Sequence, residues 1–76
     1  MSTTPHTNNP KQDIAAGKWK QHAGSAKTLW GKLTNDEILK TEGRAEKLAG
    51  LVQERYGVSK EVAHKQVDDF MTKLKS

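Results

Sequence analysis

The chain has 76 residues, 13 Lys+Arg against 9 Asp+Glu, and a net charge of +4 at pH 7. That length allows one domain, and a mean hydropathy of −0.88 leaves it a thin core. Zero cysteines exclude a disulfide scaffold, a cysteine zinc site and thiol catalysis.

Leu, Ile, Val and Phe supply only 13 of the 76 residues, so the chain sits near the lower size limit for folding alone. No apolar run is long enough to span a bilayer, and no signal-peptide core is visible. A cytoplasmic location without membrane contact is therefore expected.

Residues 1–13 hold both prolines, Pro5 and Pro10, and nothing apolar after Met1. A disordered tail is expected there, followed by a helical domain over 14–76. The first helix is expected from Ile14 to Trp30. Its stripe Trp19, Ala23, Ala26, Trp30 and then Leu33 steps by 4, 3, 4 and 3 residues and falls within about 80° of arc. Gly31 is the expected left-handed stop.

Thr34-Asn-Asp-Glu37 reads as a capping box opening a short helix with Ile38 and Leu39, ending by Glu42 near Gly43. The third helix runs from Arg44 to Tyr56 on the stripe Ala45, Leu48, Ala49, Val52 and Tyr56, with Gly57 as its stop. Ser59 then caps a last helix on Ala63, Val67, Phe70 and Leu74, its apolar face widened by Val62 and Met71. No segment alternates with period two. The fold class is all-α, a small four-helix domain.

The spacing carries an internal repeat. Gly17, Gly24 and Gly31 lie seven apart, as do Gly43, Gly50 and Gly57, and Trp30-Gly31 matches Tyr56-Gly57 at a shift of 26 residues. Two copies are too few for a solenoid. Two α-hairpins packed across a pseudo-twofold axis fit, and Gly24 and Gly50 then mark either a close helix crossing or looseness.

Catalysis finds no support. His6, His22 and His64 are scattered, no paired-histidine or phosphate-loop motif occurs, and the adjacent Asp68 and Asp69 point about 100° apart on a helix. The chain is read as a non-enzyme without metal, cofactor or small-molecule substrate.

Nucleic acid is the competing partner. The whole charge excess lies in residues 1–34, where Lys11, Lys18, Lys20, Lys27 and Lys32 face Asp13 alone. Lys18, Lys20, Lys27 and Lys32 are the candidate phosphate contacts. One contiguous positive face would favour this reading. Scattering, or neutralisation by Asp36, Glu37 and Glu42, would not. Lysines around a core stripe also snorkel in exactly this way without binding anything, and Trp19 and Trp30 are read as core. Gly57-Val-Ser59-Lys-Glu-Val-Ala63 resembles a helix-hairpin-helix turn that grips a phosphate through Gly57 and Ser59. Ser59 stands there for a second glycine, and Glu61 adds a negative charge.

Gly17-Lys-Trp-Lys-Gln21, Trp30-Gly-Lys-Leu-Thr34, Glu42-Gly43, Leu48-Ala-Gly50, Gln53-Glu-Arg-Tyr-Gly57 and Val67-Asp-Asp-Phe70 together resemble the CsbD family of small bacterial stress proteins. The resemblance covers Ile14 to Phe70. It implies a four-helix domain of two crossed hairpins, similar to the SAM-like and helix-hairpin-helix architectures. It also implies a general- or osmotic-stress role without an assigned biochemical activity or active site. His22–Ala26 and Thr28-Leu29 depart from the more lysine- and glutamate-rich family pattern. The expected protein is a monomeric binding or protective module of unknown partner, with nucleic-acid binding as the alternative.

Overall fold

The computed structural model describes residues 13–75, with the side chain of Lys75 left aside. Four helices follow in order: α1 (Ala16–Leu29), α2 (Asn35–Lys40), α3 (Ala45–Tyr56) and α4 (Lys60–Lys75). No strand occurs among the described residues. Each helix packs mainly on its sequence neighbour, α1 on α2 and α3 on α4, so the chain is organised as two helical hairpins. The tail expected over 1–13 lies outside the described residues, except for Asp13.

Short helices need external help at their ends, because four amides and four carbonyls at each terminus lack intrahelical partners. The sequence supplies some of that help locally. The Thr34 hydroxyl accepts from the Glu37 amide at 3.1 Å, and the Glu37 carboxylate accepts from the Thr34 amide at 3.0 Å. Gly57 ends α3 at φ +64°, its amide donating to the Gln53 carbonyl at 2.8 Å. Ser59 Oγ accepts from the Val62 amide at 3.2 Å to start α4.

The end of α1 departs from expectation. Among the described glycines only Gly43 and Gly57 have positive φ, so Gly31 is not a left-handed stop. Trp30 turns the chain instead, at φ −114° and ψ 78°. The Leu33 amide then closes the turn on the Trp30 carbonyl at 3.0 Å, and the Lys27 ammonium donates to the Gly31 carbonyl at 2.7 Å. An ordinary backbone with a lysine over the open carbonyl does the work expected of a left-handed glycine.

The helical stripes converge on one core. Trp19, Leu33, Ile38, Leu48, Val52, Val67 and Met71 are its largest fully enclosed side chains. Phe70 lies edge-on to both tryptophans, its ring centroid 6.3 Å from Trp19 and 5.0 Å from Trp30, the arrangement aromatic quadrupoles favour. Met71 is buried as part of this face, whereas Val62 remains exposed. A Cβ built on Gly24 or Gly50 meets nothing within 4 Å, which removes the close-crossing explanation for both.

Candidate functional site

The residues singled out as nucleic-acid contacts fall in two places: Lys18 and Lys20 in the first half of α1, and Lys27, Lys32, Gly57 and Ser59 around the turns that follow α1 and α3. Lys18 and Lys20 are exposed in the first half of α1, and two residues apart on a helix they project about 160° from each other. Lys27 is committed to the Gly31 carbonyl. The Lys32 ammonium sits 5.2 Å from the Tyr56 ring centroid, and the Lys32 amide donates to the Tyr56 phenol oxygen at 3.0 Å. Gly57 is a helix stop, and the Ser59 hydroxyl is occupied as a cap. The acidic residues do not neutralise the lysines either. Glu37 pairs with Arg55, and Glu42 pairs with Lys47 at 3.1 Å.

What the fold does bring together is a pair of fasteners between the hairpins. At one end, the Arg55 guanidinium of α3 donates to the Glu37 carboxylate of α2, one residue before Tyr56 receives the Lys32 amide. The segment Gln53–Gly57 is thereby docked on the turn Trp30–Thr34. At the other end, the Ile14 amide donates to the Gly43 carbonyl at 2.8 Å, and the Asp13 carboxylate accepts from the Ala45 amide at 3.0 Å. Asp13 thus caps α3, whose own N-cap residue Arg44 makes no side-chain cap. Inside the first hairpin, the Ile38 carbonyl accepts from the Trp19 indole N–H at 2.7 Å and from the buried Thr41 hydroxyl at 2.6 Å. Trp30 ties the end of α1 to α4, its indole N–H donating to Gln66 Oε1 at 3.2 Å.

Arg55, Tyr56 and Asp13 were not among the residues read as functional. The one local signal was the uncapped start of α3, which demands an acceptor from elsewhere.

The Glu37 carboxylate is held below its ordinary range, chiefly by its hydrogen bond from Arg55 and next by the Thr34 amide. Arg55 is correspondingly raised by the same bond. The folded-state value lies below the unfolded one. The stabilisation is therefore complete above the unfolded value, about 4.3, and is lost as pH falls through the folded value. Glu37→Gln keeps an acceptor for the Thr34 amide but removes the charge facing Arg55. Its melting temperature should lie below wild type at pH 7, and the gap should close on acidification. A gap that stays constant down to about pH 2.5 would contradict this linkage.

Among the described residues no group of three or more His, Cys, Asp or Glu side chains is placed to hold a metal ion. No helix among them is long and apolar enough to cross a membrane.

The fold and its fasteners stand beside a clear family relation. A model of the CsbD-like family matches residues 13–65, starting at the same Asp13 that caps α3. A UPF0337 protein of Bordetella pertussis is 62% identical over 58 residues, covering 76% of this chain and 88% of the relative. One from Pseudomonas aeruginosa is 50% identical over 62 residues, covering 82% and 95%. The UPF0337 protein YjbJ of Escherichia coli K12 is 47% identical over 62 residues, covering 82% and 90%. With most of both chains aligned at these identities, the chain belongs to the CsbD-like family.

Proposed function

We propose that this chain is a non-enzymatic bacterial stress-response protein of the cytoplasm, acting through its folded surface as a binding or protective module. One observation carries the reading. Within the CsbD-like motifs, Trp19, Trp30, Thr34, Gly43, Tyr56 and Gly57 cap helices, fill the interior or join the hairpins. Residues so placed maintain a shape rather than present a set of reacting groups. High polarity and the absence of oxidisable cysteine suit a protein that must stay dissolved when water activity falls.

Of the four lysines in the nucleic-acid alternative, Lys27 is hydrogen-bonded and Lys32 lies over a ring, while the Lys18 and Lys20 ammonium groups make no hydrogen bond, ion pair or ring contact among the described residues. The two project from opposite sides of α1, a weak arrangement for tracking phosphates. The test is survival of a strain lacking the gene after a hyperosmotic shift. Wild type should restore survival, and Lys18→Gln/Lys20→Gln should restore it equally. Loss of rescue by this double variant, at unchanged melting temperature and abundance, would overturn the reading in favour of an electrostatic partner.

A further inference from the structure

One face of the domain is left without a partner among the described residues. An open groove of about 580 Å³ runs along α4 beside the end of α1, with Leu29, Trp30 and Phe70 on it and Gln66, Asp69 and Lys73 as its α4 wall. Leu29 and Val62 are the two large hydrophobic residues most exposed among the described ones. Leu29 is 55% exposed and lines the groove, while Val62 is 45% exposed and lies one helical turn before Gln66 on the same stripe of α4.

Asp69 and Lys73 stand four residues apart on that stripe, the spacing at which opposite charges can meet along a helix. Both are exposed, and neither enters an ion pair among the described residues.

We propose that a second copy of this chain covers the groove, in a twofold contact with the two α4 helices antiparallel. A twofold interface must be self-complementary: what residue i meets on residue j, residue j meets on residue i. A negative and a positive group one turn apart satisfy that rule. Antiparallel pairing sets Asp69 of each copy against Lys73 of the other, so both bridges form or neither does. A partner of uniform charge would match only one of the two groups. The apolar floor supplies the driving force, and the charge pair supplies register and orientation. A contact at the lower size limit of specific interfaces, about 600 Å² per copy, gives weak association. Half-dissociation is expected at concentrations of about 0.1–1 mM.

The experiment follows the amide NMR spectrum and the sedimentation coefficient of the full chain from about 1 mM down to about 10 μM. Wild type should show concentration-dependent shifts centred on Leu29, Gln66, Asp69 and Lys73, with mass rising toward the dimer. Asp69→Lys and Lys73→Asp should each abolish that dependence, because each sets like charges together across the twofold axis. The combined Asp69→Lys/Lys73→Asp swap should restore it. Far-UV circular dichroism at the lowest concentration confirms that each variant is folded. A wild type that stays monomeric throughout overturns the proposal, as does a swap that fails to restore association or a shift pattern centred elsewhere.

Discussion

Gly43→Ala should leave the chain largely unfolded at 25 °C. A Cβ at this position would lie 2.1 Å from the Ile14 carbonyl oxygen and 3.0 Å from the Ile14 carbonyl carbon. Both are backbone atoms, so no flexible side chain can yield. The same displacement would break the Ile14 amide bond to the Gly43 carbonyl and draw Asp13 away from the start of α3. The φ of +77° adds about 1–2 kcal/mol of its own for a residue with a Cβ. Together these exceed about 3 kcal/mol, a large part of the stability a domain of this size can have. Gly24→Ala and Gly50→Ala are the controls. Both sit in exposed helix with open space around the new methyl, and each should stabilise by roughly 0.5–1 kcal/mol. Urea melts of the three variants check the ordering. Equal small effects at all three positions would mean that Gly43 is not pressed against Ile14.

Trp30→Ala should cost about 3–5 kcal/mol, the range for removing a buried aromatic ring. Trp30 is buried at the end of α1, packed edge-on against Phe70 and bonded through its indole to Gln66. Its loss removes the main link between α1 and α4 at that end. It also opens the core toward the groove of about 580 Å³ that Trp30 already borders. Trp30→Phe keeps a ring beside Phe70 and gives up chiefly the Gln66 bond, so about 1 kcal/mol is expected beyond the volume change. Thermal melting of both variants separates ring packing from hydrogen bonding. A melting temperature nearly unmoved in Trp30→Ala would place Trp30 outside the core.

These two residues also show what a single sequence makes legible. Trp30 was readable as core because its spacing from Trp19, Ala23 and Ala26 repeats the helical period, and all four are buried. The Thr34–Glu37 capping box, the Gly57 stop and the Ser59 cap were readable for a similar reason: each joins groups three or four residues apart.

The fasteners between the hairpins join residues 18, 24, 29, 32 and 36 apart in sequence. No local pattern encodes such distances. Asp13 consequently read as the end of a tail, although its carboxylate caps α3. Gly31 read as a left-handed stop because it follows the last aromatic of its helical stripe, as Gly57 does. The structure separates them by giving Trp30 the turning backbone. The basic stretch read as a possible face because charge can be counted along a chain. Lys27 and Lys32 were already engaged by Gly31 and Tyr56, which only the fold discloses.

The central claim is that the distinctive residues of this chain hold its helices together from within. Hydrogen exchange of the two tryptophan indole N–H groups, followed by NMR, tests it most directly. The Trp19 indole is enclosed and donates to the Ile38 carbonyl at 2.7 Å. It should exchange only when the whole domain opens, as slowly as the most protected amides of α3. The Trp30 indole, bonded to the exposed Gln66 side chain at 3.2 Å, should exchange faster. Exchange of the Trp19 proton within the dead time, while the helix amides remain protected, would contradict the account.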